Sequence, residues 1–236
     1  DELQRRITAD PAIYAGAACV RGTRVPVVVI LDALAEGLTV EEILDHFEDF
    51  GLTHCQCRQA MDLTGHGCGK PMETCFMFGS MGQYYLDRGM GREVSLEEAV
   101  AIMEQCREAG LVTQPATAQN PSGMCNCCGD CCGVLAALNK HPKPAELVIA
   151  NHLAVVADDD CTGCEACLER CQFNAMTMVD GICEVEKSAC YGCGLCISSC
   201  DTEALSLHHK EPSELIPPPP DDAAWRLKRA ENRIEL

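Results

Sequence analysis

One spacing constrains this chain more than any other feature. Cys161-x2-Cys164-x2-Cys167-x3-Cys171 recurs, offset by 29 residues (161 to 190), as Cys190-x2-Cys193-x2-Cys196-x3-Cys200. The echo runs past the cysteines, where Asn174-Ala175-Met176-Thr177-Met178 aligns with Glu203-Ala204-Leu205-Ser206-Leu207. Cysteine is also the compositional outlier, with 20 residues against four tyrosines, five phenylalanines and one tryptophan.

So many cysteines admit three readings: a disulfide scaffold, zinc sites or iron–sulfur clusters. A disulfide scaffold expects a short secreted chain. This one opens DELQRRITADPAIY, with no apolar stretch of signal-peptide type and no long uncharged apolar run to cross a membrane. The expected setting is a reducing cytoplasm, where thiolates stay available for metal. Zinc sites rarely show a duplicated eight-cysteine run. The formal charge of −18 disfavours sequence-independent nucleic-acid binding and suits docking on a basic face of a partner protein.

The duplicated run resembles the two-cluster bacterial ferredoxin family over residues 152–209. In that family three cysteines of one run wrap a cubane, and the fourth leads to the other cluster. The resemblance implies one 4Fe–4S cluster on Cys161, Cys164, Cys167 and Cys200, and a second on Cys190, Cys193, Cys196 and Cys171. Gly163, Gly192 and Gly194 would let the backbone pass close to the metal. The chain departs from the family where proline usually follows the fourth cysteine, with Gln172 and Asp201 standing there instead. Cys183, between the runs on an expected strand, reads as structural.

Nine further cysteines lie upstream: Cys55, Cys57, Cys68, Cys75, then Cys125, Cys127, Cys128, Cys131 and Cys132. Their Gly- and Pro-rich surroundings suit metal-binding loops. Adjacent cysteines tend to point apart, so Cys127/Cys128 and Cys131/Cys132 can serve two centres. The segments C-x-C-R, H-G-C-G-K-P-x-E-x-C-F-x-F-G, G-M-G-R-E and C-N-C-C-G-x-C-C-G resemble a group of anaerobe proteins described as 4Fe–4S binding proteins. That resemblance implies a third cluster, for which Cys55, Cys57, Cys68 and Cys75 are the simplest set, and leaves the later group for a fourth. Between the two groups, Ser95 and Glu98 form a capping box for a helix ending at Gly110, with Cys106 on its core face.

Residues 1–50 read as two short helices. Pro26 starts one and Gly37 stops it, and Thr39 with Glu42 caps the next. Ile7-x2-Asp10-Pro11, Gly22-Thr23-Arg24-Val25-Pro26-Val27 and Leu38-Thr39-x-Glu41-Glu42-Ile43-Leu44 are similar to a small antitoxin-like family of unknown function. That resemblance implies a helix-turn-helix module. Its four arginines among ten acidic residues make DNA a poor partner and protein docking the better one.

The expected architecture is therefore α+β. It has a helix-turn-helix-like module over 1–50, an irregular, helical, cysteine-rich region over 51–151, and the ferredoxin-like pseudo-twofold domain over 152–209. A Pro-rich spacer and terminal helix occupy 210–236. The expected function is electron transfer to or from a partner oxidoreductase, rather than catalysis by this chain alone. A redox-responsive regulator is the alternative.

Overall fold

The computed structural model describes residues 7–9, 18–20, 50–119 and 121–234. The chain divides into two compact units, 1–49 and 50–236. In the first, β1 (Ile7–Ala9) pairs antiparallel with β2 (Ala18–Val20), Thr8 opposite Cys19. The two helices expected between Pro26 and Phe47 lie outside the described residues.

The second unit mixes helices and antiparallel sheets, an α+β architecture. Its middle region is organised by a five-stranded antiparallel sheet in the order β5-β3-β4-β7-β6. The strands are β3 (Phe50–His54), β4 (Glu73–Phe78), β5 (Arg92–Glu93), β6 (Val112–Pro115) and β7 (Gly123–Cys127). Helices α1 (Gln56–Leu63) and α2 (Gly79–Asp87) follow β3 and β4. Helix α3 (Leu96–Glu108) packs over the sheet, where Leu52, Phe76, Val94 and Ala99 form a small core. The N-cap half of the expected box is in place, since Ser95 Oγ accepts from the Glu98 amide at 3.2 Å, while the Glu98 carboxylate pairs with Arg92 at 2.7 Å. Gly110, at φ +72°, turns the chain out of α3 in the left-handed region that glycine tolerates best.

After α4 (Gly133–Leu138), two antiparallel strand pairs frame the duplicated motif. Strand β8 (His152–Val156) pairs with β11 (Leu205–His209), and β9 (Met176–Val179) with β10 (Ile182–Val185). A short helix α5 (Ala166–Arg170) carries the third cysteine of the first run, Cys167, and ends just before the fourth. The sequence repeat recurs in the backbone: Glu165 and Gly194 are both left-handed, as are Asn174 and Glu203. The middle and C-terminal segments share one core. Val112, Cys127, Cys132 and Leu135 pack with Ala154, Phe173, Ala175 and Leu205. The prolines before α6 (Asp222–Ile234) lie against the middle region, where the Gln119 amide donates to the Pro219 carbonyl at 2.9 Å. No helix among the described residues is long and apolar enough to cross a membrane.

Candidate metal centres

The C-terminal segment holds a solvent-connected cavity lined by Cys161, Cys164, Cys167 and Cys200. Three of these come from the first run and one from the second. The other crossed set is also brought together: Cys196 lies within electrostatic reach of Cys193, Cys190 and Cys171. In both runs the third cysteine is buried and the second exposed. No three sulfurs of either set all lie within 4.8 Å of one another.

Backbone geometry explains the spacing locally. Gly163 (φ +69°) and Gly192 (φ +64°) take left-handed conformations, and a Cβ on either would meet a backbone carbonyl. For Gly163 that is the Gly181 oxygen at 2.6 Å, and for Gly192 the His152 oxygen at 2.4 Å. These glycines are therefore demanded by the β9–β10 turn behind Gly163 and by strand β8 behind Gly192. The Ala175 amide donates to Cys171 Sγ at 3.4 Å. Its repeat mate, the Ala204 amide, hydrogen-bonds Cys200, so each fourth cysteine carries an N–H···S bond.

Cys183 is the residue that sequence reasoning set aside. It is on β10 as expected, but it also lines the first cavity, with its sulfur 3.5 Å from that of Cys167. Burial first, then Cys167, push the Cys183 thiol up to about 12. The register contained the signal. Met178 faces Cys183, and Leu207, the repeat mate of Met178, faces Ala154. The first cavity therefore has a fifth thiol where the second segment of the repeat has a methyl group.

The middle cysteines group differently from the expected set. Among the described residues, Cys55, Cys57, Cys68 and Cys75 do not gather within 4.8 Å of one another. Cys68 instead joins Cys128 and Cys131, all three sulfurs lying within 4.8 Å of one another. This is a cysteine group able to hold a metal ion. The Cys68 and Cys128 sulfurs are 3.7 Å apart. Cys68 sits on the loop after α1, and Cys128 and Cys131 follow β7. A Lys70–Asp130 ion pair of 2.7 Å ties the two loops. Burial opposes ionisation of Cys68, but the Lys70 amide, Cys131, Cys128 and the Lys70 ammonium outweigh it and lower its pKa. Burial, then Cys68 and Cys128, push Cys131 up to about 12.

The remaining thiols run through the sheet from β3 to α4. Cys75 on β4 interacts with Cys55 and Cys125, and Cys127 with Cys125 and Cys132. Their ionisation alternates. Cys75 lowers Cys55 to about 6, and Cys127 lowers both Cys125 and Cys132, the latter to about 5. Cys75 and Cys127 are held well above the ordinary thiol range, first by Cys125 in each case. Burial raises Cys57, and Cys132 and Cys55 raise it further. The adjacent pairs thus diverge, Cys127 and Cys132 to this group and Cys128 and Cys131 to the other.

Arg58 lies among these thiols and is 1 % exposed. Its Nη1 donates to the Asn126 carbonyl at 3.0 Å and contacts Cys128 Sγ at 3.9 Å, and its Nη2 donates to Thr74 Oγ1. Nε has no partner, and Arg58 makes no carboxylate pair among the described residues. Thiolates are therefore the anions available to this buried cation. The C-x-C-R segment contained that residue, but nothing local marks it as buried. Gln172, at the expected proline position, joins the two regions. It accepts from the Gly129 amide at 2.5 Å, between Cys128 and Cys131, and donates to the Gly110 carbonyl.

Residues 7–61 match the family described as "Protein of unknown function (DUF433)". The match spans under a quarter of the chain, running through β3 and Cys55, Cys57 and Arg58 before ending in α1. It carries nothing for the later cysteines. No curated protein matches the chain.

Proposed function

We propose that this protein is an electron carrier, or an electron-transfer subunit, with two 4Fe–4S clusters in its C-terminal segment. Cys161, Cys164, Cys167 and Cys200 would hold one, and Cys190, Cys193, Cys196 and Cys171 the other. The observation that carries this reading is the crossing of ligands, with each site drawing three thiols from one run and the fourth from the other. When bound there, such a cluster supplies one-electron chemistry at a potential set by charge, burial and hydrogen bonds to sulfur. The chain's own part is to hold eight thiolates in rigid loops and to direct the Ala175 and Ala204 amides at two of them. The run Cys55, Cys57, Cys75, Cys125, Cys127 and Cys132 is where a third cluster would be held. The surplus of 36 acidic over 18 basic residues favours a redox partner with a basic docking face.

The test is iron and acid-labile sulfide analysis of anaerobically prepared full-length protein, followed by EPR after stepwise reduction. At least about eight irons per chain and one-electron reducible signals are expected. Iron below about four per chain, or no labile sulfide, would remove the reading.

A further inference from the structure

We propose that Cys68, Cys128 and Cys131 form a site for one thiophilic divalent ion of the zinc class, separate from any iron–sulfur cluster. The first ground is spacing. Zinc–thiolate bonds of about 2.3 Å in tetrahedral geometry place two ligand sulfurs about 3.8 Å apart. Cys68 Sγ and Cys128 Sγ are 3.7 Å apart, and Cys131 Sγ lies within 4.8 Å of both. In a cubane, any two cysteine sulfurs have two irons between them and so stand farther apart. The C-terminal sets, in neither of which three sulfurs lie within 4.8 Å of one another, show a wider arrangement in the same molecule.

Charge is the second ground. Three thiolates around a divalent ion sum to one negative charge. Arg58 is buried 3.9 Å from Cys128 with no carboxylate to pair it, and supplies one positive charge. A buried cation without an anionic partner is costly, so its placement points to an anion beside it. Lys70, tied across the loops by Asp130, adds a second cation at the exposed side. Leu111, Cys106, Met61 and Ile102 close the inner side with apolar surface. Soft sulfur donors then select zinc over the harder magnesium, calcium or manganese.

The coordination number follows from what is missing. Among the described residues, no fourth Cys, His, Asp or Glu donor lies within that distance of all three. Three protein ligands leave one tetrahedral position for water or another small donor, the arrangement of reactive rather than closed structural zinc sites.

Metal analysis and zinc K-edge X-ray absorption on the intact, anaerobically prepared protein test the site. The expected result is one zinc per chain in addition to iron, with three sulfur scatterers and one lighter atom. Cys131→Ser should remove that zinc and leave the iron count unchanged. Wild-type protein without zinc, or zinc not bound to three sulfurs, would overturn the proposal without any variant having to fold. So would iron, rather than zinc, disappearing with Cys131→Ser. The iron count reports separately on the C-terminal clusters, so either reading can fail while the other stands.

Discussion

In the C-terminal segment no three sulfurs of either crossed set lie within 4.8 Å of one another, whereas in the middle region Cys68 and Cys128 lie 3.7 Å apart with Cys131 within 4.8 Å of both. The first arrangement is produced mainly by local sequence. Three cysteines, each separated from the next by two residues, follow one another along the chain, and a single long-range partner completes the set. The second arrangement is a product of the sheet. Strands β4 and β7 are antiparallel neighbours, with Phe76 opposite Met124, so the loop before β4 that carries Cys68 meets the loop after β7 that carries Cys128 and Cys131. The same side chain thus meets two different constraints, a loop that wraps space and a sheet that stacks thiols. Metal nuclearity should follow that difference.

The largest effect expected is loss of a whole cluster. Cys164→Ala and Cys193→Ala should each lower the iron content by about four atoms per chain. Because metal binding and folding are coupled, each variant should also be more readily proteolysed. Equal iron in wild type and both variants would place the metal elsewhere. The third cysteines should behave unequally. Cys167 has Cys183 3.5 Å away, whereas Ala154 takes the register position matching Cys183 across the repeat. Cys167→Ala should therefore retain more iron than Cys196→Ala, and Cys167→Ala with Cys183→Ala should lose that advantage. Identical losses in both single variants would show that the fifth thiol is idle.

Next comes the buried cation. Removing one partner from a buried charge pair costs about 3–5 kcal/mol. Arg58→Met should lower unfolding stability by a comparable amount, measured by urea denaturation of the metal-loaded protein. Arg58→Lys should recover only part of it, because an ammonium cannot reproduce the contacts of the guanidinium to Asn126, Thr74 and Cys128. A Met variant as stable as wild type would mean that the thiols beside Arg58 are neutral.

Legibility followed the same division. The α+β class, the cap at Ser95 and the core position of Cys106 were readable because each depends on neighbours a few residues away. The middle sheet was not announced. Its strands are short, and β4 and β7 are interrupted by cysteines that read as ligands. Thr74, Cys75 and Phe76 are three consecutive buried residues, which hides the alternation expected of a half-buried strand. The grouping of the nine middle cysteines was likewise hidden, since only strand order decides which loops meet. At the N-terminus the β1–β2 pair falls before the segments that read as helical.

The smallest expected effect concerns the joint between the two regions. Gln172 follows a cysteine of the second crossed set and reaches Gly129, between two thiols of the middle group. Its side chain both accepts from the Gly129 amide and donates to the Gly110 carbonyl, so Gln172→Ala leaves two backbone groups without those partners. Each such loss costs about 1–3 kcal/mol where water cannot substitute, and less where it can. Gln172→Ala should therefore lower stability by about 1–3 kcal/mol in total. Gln172→Glu, which keeps the acceptor and loses the donor, should lie between. Neither change touches a thiol, so the iron count should stay at the wild-type value. The Cys128–Cys131 loop, however, loses an anchor, and zinc should pass to a competing chelator faster than from wild type. Unchanged stability and unchanged zinc release together would show that the loop is held by its own turn, the Cys132 amide to the Cys128 carbonyl at 3.0 Å, and by the Lys70–Asp130 pair alone.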